Sequence, residues 1–494
     1  MNTFTRKSLY AALAGVGALG VTGAAQAVNV NPNGLGQVLL YPYYTVRTDN
    51  LRNPYNSLLS VVNSTNSVKA VKVRFVEGKN SAEVLDFNLF LSPFDVWTTA
   101  IIPDPISGGG RIITADKSCT LPAIPTVGVP FVNFQYAASN ADGADDSNDR
   151  TKEGYVEIIE MATYLPTSTT AVAATHVSGV PPCGSKLNDT TAQLEQQAPA
   201  GGLFGGISLI NVNSGTDYTE DAVALDNFRF GIGAANYNPS GSIFPNLQQA
   251  SPQTSQVLAN SVGLAPNVYT SSWLGGACFP TSSCTADPVS AVLMHNQVMN
   301  EFVLDSGTRS GTDWVVTFPT KRFYINLGTG NAPKLFQRNF NKTAGSCDDV
   351  SLGIFDREEF TAPTSFSPPP PTQTNSLCWE ANVLTFNNSH LLGSTNESNI
   401  PTSFQNGWLL LGFPPVPSPA TTASAHILQN VLGTTITTIG GGSTAGNNAT
   451  YFGLPVIGFA VQDFVNGILP NPAGGVELSA YGGNFVQKAT VLIQ

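Results

Sequence analysis

Charge is what this chain has least of. Asp, Glu, Lys and Arg make up 11% of its 494 residues, less than half the ~25% usual in soluble domains. The hydrophobic fraction of 42% still supplies a core, so the scarcity of charge does not imply disorder. Asn, Ser and Thr, together with 47 Gly and 34 Pro, fill the gap, so amides and hydroxyls rather than ions are expected to face water. The net charge is −11 and no long basic run offsets it. Nucleic acid and anionic lipid are therefore not expected as partners.

Other absences exclude particular chemistries. No Cys-x-x-Cys occurs, which argues against zinc and thiol-redox sites. No Gly-x-Ser-x-Gly elbow occurs either, and His176, His295, His390 and His426 sit in unrelated contexts, so a serine or cysteine hydrolase is unsupported. Gly440-Gly441-Gly442 lacks the Gly-Lys-Ser/Thr ending of a phosphate cradle. After the first residues no apolar run approaches the ~20 residues of a spanning helix, so no transmembrane helix is expected. A membrane barrel would need a sustained rhythm of alternating segments of about ten residues, which the prolines interrupt.

The N-terminus carries a clearer signal. Arg6-Lys7, an apolar run from Leu9 to Val21 and the small-x-small pattern Ala25-Gln26-Ala27 read as a secretory signal peptide over residues 1–27. Export to the periplasm, cell surface or medium follows. An oxidising compartment makes the six cysteines candidates for three disulfides. Neighbour pairing joins Cys119 to Cys183, Cys278 to Cys284 and Cys347 to Cys378, although about fifteen connectivities are open to six cysteines. A Cys347–Cys378 bridge would tie off Pro368 to Pro371 and contribute roughly 3 to 4 kcal/mol through loop entropy.

The fold reading is built on residues 57–102. Val71, Val73 and Phe75 alternate with Lys72 and Arg74; after the Glu77-Gly78-Lys79-Asn80 turn, Leu85, Phe87, Leu89 and Leu91 alternate with Asp86 and Asn88. Period two on both arms predicts a hairpin with one dry and one wet face. Strands on either side extend it to an antiparallel sandwich. The expected class is mainly β, antiparallel sandwich domains with a few short helices. Helices are expected at Tyr218 to Phe228 and at Asp287 to Phe302, where Pro288 suits the first turn. Arg322 to Ile325 reads as a strand. The expected segments are a sandwich over 28–170, a loop-rich connection over 171–203, a β-rich domain with short helices over 204–346, and a β-rich end over 347–494 with a proline-rich loop. Gly36 to Tyr44 is strongly β-forming, and Pro42 places it at an edge or a bulge.

Leu58 to Phe75 followed by Val84 to Trp97 resembles an immunoglobulin-like sandwich of bacterial surface and pilus-chaperone proteins. Gly36 to Tyr44, the hairpin, and Thr312 to Lys321 together resemble a family of exported Gram-negative proteins with no assigned activity. The resemblance implies export and β-structure and brings no catalytic residues.

Two sets of carboxylates are candidates for chemistry. Asp142, Asp145, Asp146 and Asp149 concentrate oxygen ligands as calcium sites do, without the EF-hand order, so calcium stands beside a solvated acidic loop. No other cofactor is expected. Glu157 and Glu160 lie on opposite faces of one strand, and either is a candidate for one of the two carboxylates a glycosidase needs, although no partner can be named. The expected function is therefore a non-enzymatic structural or adhesive surface protein, self-associating by strand addition through Gly36 to Tyr44. The alternative is a secreted carbohydrate-active enzyme.

Overall fold

The computed structural model describes residues 26–231, 233–259, 266–276, 284–325, 335–341, 343–361, 375–417, 424–439, 442–446, 448–470 and 475–494. The signal-peptide run, Cys278, Gly440-Gly441 and Pro368 to Pro371 lie outside these residues. Strands account for 48% and helices for 8% of the structure, so the chain is mainly β, with antiparallel sheets and, among the described residues, no closed barrel.

The first part contains β1 (Asn29–Val30), β2 (Val38–Thr45), β3 (Asn56–Asn63), β4 (Val68–Glu77), β5 (Glu83–Leu91), β6 (Val96–Pro103), β7 (Gly110–Ile113), β8 (Cys119–Leu121), β9 (Val129–Pro130) and β10 (Glu153–Tyr164). It is completed by β11 (Leu203–Phe204), β12 (Gly206–Asn211), β13 (Thr216–Asp221) and β14 (Val223–Asp226). One sheet runs β1-β14-β2-β10-β4-β5-β8. The second runs β13-β12-β3-β6-β7-β9. The expected hairpin is β4–β5, with Val73 opposite Phe87. Val71, Val73 and Phe75 meet Leu59, Val61 and Trp97 of the second sheet in one core, and Trp97 packs edge-on to Phe87 at 5.7 Å.

The structure differs from the sequence expectations in several places. Gly36 to Tyr44 is no edge: β2 lies between β14 and β10, and all eight of its residues are buried. Pro42 is accommodated by a bulge, because the register slips between Gly154 opposite Tyr44 and Val156 opposite Tyr41. The polar side of the hairpin is not wet, since Lys72 and Asn88 are fully buried. Tyr218 to Phe228 carries strand up to Asp226 and no helix. Along β13, Thr216, Tyr218 and Glu220 alternate as buried residues with exposed Asp217, Thr219 and Asp221, and this period of two outweighs the three-step recurrence. The helix begun by Asp287-Pro288 stops at Val292; Gln297–Val303 is a strand, consistent with its β-branched and aromatic content. Arg322–Ile325 is one helical turn. The 171–203 stretch holds two short helices, Thr169–Ala174 capped by Ser168 and Asp189–Glu195 capped by Asn188.

Strand pairing also crosses the expected boundary at 204, because β11 to β14 belong to the sheets of the first sandwich. The later chain adds a five-stranded sheet in which Gly311–Thr317 pairs with Ala381–Phe386 and with Ile457–Pro470. Val315, Val383 and Phe459 from this sheet enter the first sandwich's core. Val38, Leu40 and Ile159 reach the other way, into the core of the second half. Polar contacts close the junction: Thr317 Oγ1 donates to the Pro42 carbonyl at 2.7 Å and Tyr155 donates to that of Pro319 at 3.1 Å. Two disulfides, Cys119–Cys183 and Cys347–Cys378, are formed as expected. Cys284 is also disulfide-bonded; the expected Cys278–Cys284 pairing lies outside the described residues.

Candidate functional site

The aspartates of the acidic loop do not converge on one point. Arg150 donates to both oxygens of Asp142, at 2.8 and 2.6 Å, and its Nε and Nη2 also bond Glu77. Asp149 pairs with Arg47 and Lys152, each at 2.6 Å. Asp145 accepts from the backbone and hydroxyl of Ser147, and the Asp146 carbonyl accepts from Asn133. Among the described residues no group of three or more His, Cys, Asp or Glu is placed to hold a metal ion. Against the opposing effect of burial, Arg150 holds Asp142, and Lys152 and Arg47 hold Asp149, below the usual carboxylate range.

Glu157 and Glu160 are buried and occupied. Glu160 pairs with Lys69 at 2.6 Å and accepts the Ala200 and Gly201 amides. Glu157 pairs with Arg74, which also bonds Glu83 at 2.8 Å. Burial raises both pKa values despite these partners. Lys72 pairs with Asp86 at 2.8 Å, and the Tyr237-Asn238-Pro239 segment closes over this face through bonds to Asn88 and Lys72. These carboxylates lie inside a charge-matched layer, not across an open cleft.

The histidines lack catalytic geometry for similar reasons. Ser92 Oγ lies 2.7 Å from His176 Nδ1, and Asp95 Oδ2 lies 3.6 Å from that same nitrogen. A nucleophilic triad needs the carboxylate and the hydroxyl on different ring nitrogens. Here Asp95 also accepts from the Ser92 backbone and hydroxyl, which locks a turn. His426 is buried against Asp348 at 3.3 Å, and Asp348 is also paired with Lys321 at 2.7 Å. His390 bonds Glu397. His295 is half-buried, and burial lowers its pKa to about 4.

Two concavities among the described residues bring polar side chains together. The first is a cleft of about 660 Å³ between the halves, where Asp49, Tyr55 and Tyr218 face Arg309, Asn387 and Asp463. The tyrosine rings stand 6.4 Å apart. Asp463 is pushed up to about 6 by burial and the neighbouring Asp49. Gly311 pairs with Asp463, so Asp313, two residues along, is its diagonal neighbour on the same sheet face. Asp313 is fully buried; its Oδ2 accepts the Leu392 amide at 2.9 Å and its Oδ1 has no hydrogen-bond partner. Burial pushes it to about 7. Both Asp49 oxygens are engaged, by the Leu51 and Asn53 amides and by the Asn211 side chain.

The second is a trough of about 830 Å³ on the outward face of the β13-β12-β3-β6-β7 strands. The register sets Thr219, Ser208, Leu58, Ala100 and Ile113 in one row across these strands. Ser60 faces Thr98 in the next. Sequence reasoning missed both concavities. The alternation of Leu58 and Ser60 with buried Ser57, Leu59 and Val61 was visible, but which strands lie beside it was not.

Protein-family models, curated proteins and solved structures were all compared with this chain, and none of the three comparisons found a match.

Proposed function

We propose that this is an exported, non-enzymatic protein with a structural or adhesive role at the cell surface. The observation that carries this reading is where the chain spends its polar groups. Many charged side chains are paired inside, as Lys69 with Glu160 and Arg150 with Glu77 are, while a sheet face whose trough holds one charge, Asp221, and exposes Leu58 and Phe204 is left to solvent. Two disulfides, the signal-type N-terminus and the resemblance to immunoglobulin-like and exported Gram-negative proteins support export. Among the described residues no helix is long and apolar enough to cross a membrane. Strand addition through Gly36 to Tyr44 is not part of the reading, because β2 has neighbours on both sides. Fractionation of the native cell, with protease shaving of intact cells, tests it. Protein in the outer fraction and cut by external protease supports the reading, and protein confined to the cytoplasm contradicts it.

A secreted carbohydrate-active enzyme using carboxylates is the second reading, and Asp463, which lines the junction cleft with the buried Asp313 as its diagonal neighbour on the sheet, favours it. Release of reducing ends from a polysaccharide, lost in Asp463→Asn, would establish it in place of the first.

A further inference from the structure

We propose that the trough across β13-β12-β3-β6-β7 binds one neutral polysaccharide chain. This deepens the adhesive reading and rests on it. Five strands spaced ~4.8 Å apart give a trough roughly 20 Å long, enough for an oligomer lying across the strands. Its lining includes Ser60, Thr98, Ser208 and Thr219, and the one charged residue in it is Asp221. Thr219 Oγ1 donates to Asp217 at 3.3 Å and bonds the Ser208 hydroxyl at 2.6 Å, so this pair offers a ligand acceptor lone pairs. The floor is small at Ala100, and Leu58 and Phe204 stand 45% and 42% exposed. Phe204 continues into a smaller hollow of about 320 Å³ bounded by Asn33, Gly34 and Leu35.

Each feature selects against other occupants. An anionic polymer meets Asp221 and a chain of net charge −11 and finds no cation in the lining. A peptide adding as a strand needs free backbone groups, but the backbone of β12, β3 and β6 is paired on both edges within the sheet. A second copy offering this same concave face would leave the hollow unfilled. A neutral glycan matches both halves of the surface: its hydroxyls exchange hydrogen bonds with the Ser and Thr rows, and its C–H faces cover Leu58 and the Phe204 ring.

The test is affinity electrophoresis of the disulfide-bonded protein in gels containing amylose, hydroxyethyl cellulose, galactomannan or xylan, with polygalacturonate as the anionic comparison. The proposal expects retardation by at least one neutral polymer and none by polygalacturonate. The Leu58→Ala/Phe204→Ala pair should weaken it at least tenfold, Ala100→Trp should abolish it, and Ile106→Ala, at a loop position 85% exposed, should leave it unchanged. Circular dichroism and unfolding midpoints of the variants should match the parent. The proposal is overturned if no neutral polymer retards the protein, if the trough variants are retarded like the parent, or if they instead abolish a dimer seen by light scattering. Adhesion of cells that survives the trough variants overturns the trough proposal alone. A cytoplasmic location overturns the adhesive reading, whatever the gels show.

Discussion

Glu153 and Glu380 are both fully buried where the first sandwich meets the second half, yet their surroundings push their ionisation in opposite directions. Around Glu153, Arg47 binds at 2.8 Å, and Tyr43, Ser394 and the Thr395 amide and hydroxyl donate to the remaining lone pairs. Arg47 and these donors outweigh burial and hold its pKa low. Glu380 accepts from Ser81, and its Oε1 has no partner. Lys321 is committed to Asp348 and Arg322 to the Ser81 carbonyl, so burial dominates and raises Glu380 to about 8. Asp313, Asp463 and Glu220 resemble Glu380, at about 7, 6 and 7. The comparison shows that burial alone does not fix a carboxylate's charge; the donors that converge on it do. The matched set stabilises the fold above the ordinary carboxylate pKa and loses that contribution as pH falls. The unmatched set contributes fully below about pH 4 and loses its contribution as pH rises towards 8.

The comparison can be broken most severely by removing the strand both regions share. Deleting residues 28–46 takes out β2, with neighbours on either side and side chains in both cores. The expected outcome is loss of a cooperative unfolding transition by circular dichroism, not a folded remainder. Arg47→Met leaves Glu153 buried without its cation, and urea unfolding at pH 7 should register a loss of about 3 to 5 kcal/mol. Replacing Cys119 and Cys183 by serine opens a closure 64 residues long. This should cost about 2 to 4 kcal/mol, with no change in its pH dependence. Glu380→Gln is the one change expected to stabilise: the unfolding free energy should match the parent near pH 4 and exceed it at pH 9, by roughly 1 to 4 kcal/mol.

The hairpin was legible because period-two alternation is local: Val71, Val73, Phe75, Phe87 and Leu89 lie on the dry face as read. Whether the opposite face is wet depends on Tyr237-Asn238-Pro239, some 150 residues away from Asn88, and no pattern within the hairpin carries that. The Gln37 to Tyr44 stretch held a usable signal, since strands buried on both faces read as nearly continuous apolar runs. Pro42 pointed to an edge or a bulge, and the bulge is what formed. The Asp142 and Asp149 side chains read as calcium ligands because sequence shows oxygen density but not the arginines, Arg150 and Arg47, that fold back onto them. The trough was illegible for another reason: Ser60, Thr98 and Ser208 become neighbours only through register.

The opposed ionisation of Glu153 and Glu380 is tested most directly by infrared difference spectra of the parent against Glu380→Gln and against Glu153→Gln, recorded at pH 7 and pH 9. A protonated-carboxyl band at pH 7 that vanishes in Glu380→Gln, weakens by pH 9 and persists in Glu153→Gln is the expected result. A pH 7 band that survives Glu380→Gln and disappears with Glu153→Gln, or no such band at all, would contradict the account.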